Sequence, residues 1–179
     1  MDVFLEPIEL PNRVCIFGAG HVGLAVANAL QLLGDHVEVI DSRSQWLSQE
    51  RFPNAERTLG SPIDRANRLQ DDAKTDVLVM THDHALDEEL AALILPKSIR
   101  YFGVIGSVRK RLKFVDRLVA RGLPQDLVAQ RFHCPIGLNI GSETPAEIAV
   151  SILAELVRFR RGFTNESAGP MSTSWSTKS

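Results

Sequence analysis

With 179 residues, 44% of them hydrophobic and 23% charged, the chain has room for one domain with a buried core and the composition of an ordinary globular protein. A net charge of −2 makes no broad positive field for nucleic acid or an anionic membrane, and no apolar run reaches the length of a membrane span. Two cysteines, Cys15 and Cys134, with no CxxC, argue against a disulfide framework or a zinc cage, and the expected setting is a reducing cytoplasm.

Residues 1–11 (MDVFLEPIELP) carry acids and prolines without a basic leader, so they read as a lead-in and not as a signal peptide. RVCIF at 13–17 is a strand. Residues 20–33 follow as a helix, with Leu24, Ala27, Leu30 and Leu33 along one face and Gly34 as its stop. HVEVID at 36–41 is the second strand; a loop containing FPNAER leads to a short strand at 57–59 and a weak helix at 62–71. DVLVMT at 76–81 is a third apolar strand, 84–95 a helix ending before Pro96, and RYFGVIG at 100–106 another strand. Helices at 107–121, stopping at Gly122, and 124–130 precede the glycine-punctuated loop HCPIGLNIGSE. The last long helix spans 145–161, and Thr144, Pro145 and Glu147 supply a T-x-x-E capping box with proline at the first helical position. Residues 163–179, Ser/Thr-rich from about Ala168, read as a flexible tail, leaving a domain over 12–162. Nearly continuous apolar strands alternating with helices predict an α/β, doubly wound, Rossmann-like domain with a mainly parallel sheet and helices on both faces.

Four segments fall at the carboxyl ends of predicted strands, where open parallel sheets bind ligands. The first is Gly18-x-Gly20-x-x-Gly23, between a strand and a helix. Its glycines suit, in order, a tight turn, the approach of a phosphate and helix–strand packing, and the helix supplies unpaired N–H groups. His21 inside it either touches a phosphate or faces water. The second is Asp41 with Arg43: the acid can take ribose hydroxyls or merely cap a loop, and the arginine leaves a 2′-phosphate open. The third, THDHALDEE at 81–89, offers His82 and Asp83 to a ligand. Its H-x-H spacing splits the histidines across an extended chain, Asp83 and Asp87 suit a helix start, and no further cluster completes a metal site. The fourth, GSVRKR at 106–111, places Ser107 as an N-cap and Arg109, Lys110 and Arg111 in a first turn. The helix dipole disfavours cations there unless a bound anion offsets the repulsion. Cys134 beside His133 is not read as a reactive thiol, because adjacent residues point apart. No acid–base pair emerges; His82–Asp83 is the best candidate and a poor one, so no catalytic residue is assigned.

VCIFGAGHVG, VIDSR, RFPNAER, VMTHDHALDEEL, YFGVIGSVRKR and PIGLNIGSETPAEIAVSILAEL, in that order, resemble the Rossmann domain of the XdhC/CoxI family over roughly residues 12–162. The last stretch is far more specific than the glycine motif. These are accessory proteins of molybdenum hydroxylases such as xanthine dehydrogenase. The resemblance implies a chaperone that binds molybdenum cofactor (molybdopterin) as cargo, assists its sulfuration by a cysteine desulfurase and helps insert it into the hydroxylase, with self-association left open. It carries the cofactor site to Gly18, Gly20, His21 and Gly23, to Asp41 and Arg43, to Thr81, His82 and Asp83, to Gly106, Ser107, Arg109 and Lys110, and to Pro135 and Gly137. Two departures stand out. The family's glycine–cysteine motif, ahead of its Rossmann part, is missing from this sequence, so a function needing that cysteine would draw it from another chain. Val108 and Asn139 stand where the family pattern expects Arg and Asp. The competing readings are an NAD(P)-dependent oxidoreductase and a nucleotide-sensing module on the same fold.

Overall fold

The computed structural model describes residues 11–163. The expected tail, apart from Phe163, and the lead-in, apart from Pro11, lie outside them. Five parallel strands, β1 (Arg13–Phe17), β2 (His36–Asp41), β3 (Glu56–Leu59), β4 (Asp72–Val79) and β5 (Ile99–Val104), lie in the order β3-β2-β1-β4-β5. Six helices connect and cover them: α1 (His21–Gln31), α2 (Pro62–Asn67), α3 (His84–Ile94), α4 (Val108–Ala120), α5 (Gln125–Arg131) and α6 (Pro145–Arg160).

The alternation of side chains along each strand sorts the core into two layers. Val14 and Ile16 of β1, Leu78 of β4 and Tyr101 of β5 pack beneath α1 and α6 with Val26, Leu30, Ile152 and Leu156. Cys15, Phe17, Val77, Val79, Phe102 and Val104 face the other way, onto α2 to α5 with Ala66, Leu90, Ile94, Phe114 and Val128. The inner strands β1, β4 and β5 are therefore apolar on both sides along their buried stretches, which is why the alternation expected of a one-sided sheet is missing there. The strand order reverses between β1 and β4, so the crevice of this doubly wound domain opens at their carboxyl ends.

The amino edge of the sheet is closed by buried ion pairs. Asp76, fully buried, accepts from Arg100 and Arg160, and Arg160 also reaches Asp35 at 2.8 Å. Glu38 accepts from Arg65 at 2.6 Å and from Arg13 at 3.0 Å. A cavity of about 450 Å³ lies at this edge, lined by Arg13, Arg65, Arg68, Leu69, Gln70, Asp72 and Thr75. It stands opposite the loops that follow the strands, and Arg13 and Arg65 there are committed to Glu38.

Most expected elements are present, with shifted ends. β4 starts at Asp72 instead of residue 76, because Asp72 pairs with Ile99 across a register shift, and its exposed polar start carries no apolar signal. The expected helix at 62–71 stops at Asn67, since Asp72 already belongs to β4. Helix α1 ends at Gln31, so Leu33 sits in the turn before Gly34 (φ +72°) and is exposed instead of lying on the buried face. A single 3-10 turn at Ser44–Trp46 went unanticipated.

Candidate functional site

The glycine loop leaves β1 where the sheet order reverses. Gly18 has φ +118°, and a Cβ there would lie 2.4 Å from the Met80 carbonyl oxygen, so the loop lies directly against the end of β4. Gly23 faces back onto the Gly18 carbonyl with no room for a side chain, as helix–strand packing requires. Gly20 differs: it is the N-cap of α1 in extended conformation, and a Cβ there would meet nothing within 4 Å. Side chains cap α3, α4 and α6 (Asp83, Ser107 and Thr144), whereas none caps α1. An open space thus lies above the positive end of an uncapped helix.

The loop after β2 supplies the side chains around that space. Asp41 is buried, and both its oxygens are occupied. Oδ2 accepts from the Ala19 N–H at 2.8 Å and Arg43 Nη2 at 2.8 Å; Oδ1 accepts from the Arg43 N–H and Nε at 2.9 Å each. Burial opposes ionisation of this carboxyl, but the Arg43 side chain and the two backbone N–H groups outweigh it and lower its pKa to about 2. In this structure the lone pairs of Asp41 hold the glycine loop to β2 and orient Arg43. Arg43 and Arg51 both pack on Trp46, their guanidinium carbons 5.3 and 4.7 Å from the ring centroid, and His21 meets the same ring edge-on at 5.2 Å. Arg51 also donates to the Ala19 carbonyl at 3.0 Å.

The loops after β4 and β5 are joined through Asp87, which is fully buried. It accepts from Thr81 Oγ1 at 2.6 Å and from Lys110 Nζ at 2.6 Å, and Lys110 donates again to the Ile105 carbonyl at 2.8 Å. The Lys110 ammonium, expected beside a bound anion, turns inward here to a carboxylate 23 residues away in sequence, and that carboxylate offsets the unfavourable helix end. Arg111 likewise reaches the Phe132 carbonyl, leaving Arg109 exposed. Asp83 is the N-cap of α3, accepting from the Ala85 N–H at 2.8 Å and the Leu86 N–H at 3.4 Å. The Thr81 hydroxyl donates its one proton to Asp87 at 2.6 Å and accepts from the Asp83 N–H at 3.1 Å, and Ser107 caps α4 by accepting from the Lys110 N–H. His82 is exposed. Gly106 lies against Lys110 and Cys134: a Cβ there would be 2.6 Å from Lys110 Cδ and 3.3 Å from Cys134 Sγ.

The segment after α5 runs beside β5 and returns to α6. His133 and Ile136 hydrogen-bond to Phe102 and Val104 of β5 through their backbones, and Gly137 (φ +101°) donates its N–H to Glu155. Pro135 is exposed, preceded by a cis peptide bond. Burial raises the Cys134 thiol pKa, against the pull of Lys110 and Arg111, so this buried thiol stays protonated. Gly137 and Glu155 tie the loop to α6. Among the described residues no group of three or more His, Cys, Asp or Glu is placed to hold a metal ion, and no helix is long and apolar enough to cross a membrane.

The expected loops thus share one edge of the sheet, in two linked pairs: β1 with β2 through Asp41 and Arg51, and β4 with β5 through Asp87. Against this geometry the XdhC Rossmann-domain model matches residues 14–156. The chain belongs to the XdhC Rossmann-domain family. Uncharacterized protein YqeB of Escherichia coli (strain K12) is 33% identical over 160 residues, which are 89% of this chain and 29% of that protein. A probable xanthine dehydrogenase subunit of Bacillus subtilis (strain 168) is 29% identical over 161 residues, 89% of this chain and 46% of that one. A crystal structure of a xanthine dehydrogenase from Bacillus halodurans superimposes with a TM-score of 0.74 at 30% identity, covering 89% of this chain and 45% of that chain. The chain therefore spans less than half the length of these relatives.

Sequence reasoning missed Trp46, Arg51 and the Asp87–Lys110 pair. Arg51 opens the RFPNAER stretch that carries part of the family resemblance, and that position was its only signal.

Proposed function

We propose that this chain is the cofactor-holding Rossmann part of an accessory protein serving a molybdenum hydroxylase of the xanthine dehydrogenase type. Its cargo is molybdopterin, held by its phosphate at the crevice, and the chain protects this cargo during sulfuration and passes it to the hydroxylase without a turnover of its own. The observation that carries this reading is the open, uncapped α1 N-terminus beneath Gly20 at the β1/β4 reversal, within a family-matched domain. The names of the Bacillus relatives support the hydroxylase connection. The cargo supplies the molybdenum-binding dithiolene and the phosphate; this chain supplies N–H groups from the first turn of α1, the guanidinium of Arg51 and a wall formed by Trp46 and His21.

The oxidoreductase reading is weaker for two reasons. The Asp41 carboxylate has no free lone pair of good geometry for ribose hydroxyls, and the only adjacent acid–base candidate, His82–Asp83, consists of an exposed imidazole and a helix cap. The test is gentle purification of the full chain from cells making the cofactor. Mass spectrometry of the released small molecule should find the pterin and its oxidised fluorescent products, and a pull-down with the cognate apo-hydroxylase should recover the complex. A preparation holding NAD(H) and no pterin would overturn the reading in favour of a dehydrogenase.

A further inference from the structure

Arg51 combines three features at the glycine loop. It donates to the carbonyl of Ala19, immediately before the open Gly20. It lies over Trp46 at 4.7 Å and also near Phe52 at 5.8 Å, so its plane is fixed by aromatic packing. Its buried Nε has no hydrogen-bond partner, and no carboxylate pairs with it among the described residues. Its neighbour Arg43, by contrast, is neutralised by Asp41 through two side-chain bonds. A half-buried guanidinium lacking a counter-charge is costly to keep, and an anion at the glycine loop offsets that cost. The planar fork, held on the ring before any ligand arrives, loses little freedom on binding.

We infer that Arg51, held on Trp46 and the Ala19 carbonyl, is the residue that reads a phosphate or pyrophosphate ester at the glycine loop. This inference rests on the reading of the crevice as a cofactor site but assigns the anion contact to a side chain outside the expected set. The ligand chemistry is shared by a pterin monophosphate and by a dinucleotide, and the sources are separated by the choice of probe.

The test uses the full chain with Trp175→Phe, which leaves Trp46 as the single tryptophan reporter. Inorganic pyrophosphate, ADP, adenosine and molybdopterin are titrated in turn into this protein and into its Arg51→Ala and Arg51→Lys variants, with thermal melts to show that each variant folds. Pyrophosphate and ADP should shift Trp46 emission saturably and adenosine should not. Arg51→Ala should weaken phosphate-bearing probes by about tenfold or more, the scale of one charge-assisted hydrogen bond, with Arg51→Lys in between. If only ADP and pyrophosphate lose affinity, the dinucleotide is the source; if molybdopterin loses it too, the pterin phosphate is read as well. Equal affinities in a folded Arg51→Ala variant, or adenosine binding as tightly as ADP, would overturn the inference. Arg51-dependent ADP binding in a protein that never retains pterin would sink the accessory reading instead and leave Arg51 in place.

Discussion

Gly18 and Gly20, two residues apart, are held for opposite reasons, and substitution separates those reasons. Gly18→Ala combines a left-handed backbone with a methyl group 2.4 Å from the Met80 carbonyl oxygen, a backbone atom that cannot yield. It should cost roughly 2–4 kcal/mol in urea unfolding, the range for strained backbone plus forced displacement. Gly20→Ala has φ −66° and open space, so its stability should change by less than about 1 kcal/mol, while the methyl group enters the space above α1 and lowers affinity for pyrophosphate. Equal stability losses in the two variants would contradict this division. The turn at Gly18 and the close packing at Gly23 were legible in the sequence because they follow from local backbone geometry. The roles of Asp41 and Lys110 were not. A carboxylate that is saturated by its neighbours, and an ammonium paired with Asp87 far along the chain, look the same in sequence as free ligand-binding groups.

The helix starts and the apolar strands of this domain are local in origin, and they were read from the sequence accordingly. Thr144 accepts from the Glu147 N–H at 3.3 Å while Glu147 accepts from the Thr144 N–H at 2.9 Å, the reciprocal box its spacing predicts. Thr144→Ala should cost about 1 kcal/mol without touching the crevice. Polar strand ends are less legible: Asp72–Lys74 enter β4 only because β5 lies beside them. The pairing of α3 with α4 through Asp87 and Lys110 is legible only in three dimensions, and its energetics are asymmetric. Asp87→Ala leaves a buried ammonium without its counter-charge and should destabilise by about 3–5 kcal/mol. Asp87→Leu combined with Lys110→Met replaces the pair by apolar volume and should recover much of that loss, because neither charge is then desolvated. Urea unfolding of both variants measures the difference; a double variant no more stable than Asp87→Ala would show that Thr81 and Ile105, which also bond to the pair, need it intact.

For the whole molecule, ionisable groups at opposite edges of the sheet set a common acid limit. At the amino edge burial penalises the Glu38 carboxylate, but hydrogen bonds from Arg65, Thr58 and Arg13, with the charge of Arg65, lower its pKa from 4.5 to about 2. At the carboxyl edge Asp41 falls from 3.8 to about 2. Both groups bind protons more weakly in the folded chain than in the unfolded one. Their stabilisation is therefore complete above pH of about 4.5 and is lost as pH falls toward 2, on the order of 3 kcal/mol for each group. Cys15 sets the alkaline side with the opposite sign. Burial, then the charge of Glu38, raises its thiol from 9.0 to about 12, so the unfolded chain releases this proton first and stability falls between pH 9 and 12. Glu38→Gln tests the amino-edge share of the acid limit. It removes the titration at the amino edge, leaves Arg13 and Arg65 without their carboxylate, and lowers stability at neutral pH. Its unfolding free energy should then decline less between pH 4.5 and 2.5 than that of the unsubstituted chain, because the remaining acid slope comes from Asp41 and the other carboxyls. Urea titrations at half-unit pH steps measure that slope, and an unchanged slope in Glu38→Gln would place the acid limit elsewhere in the molecule.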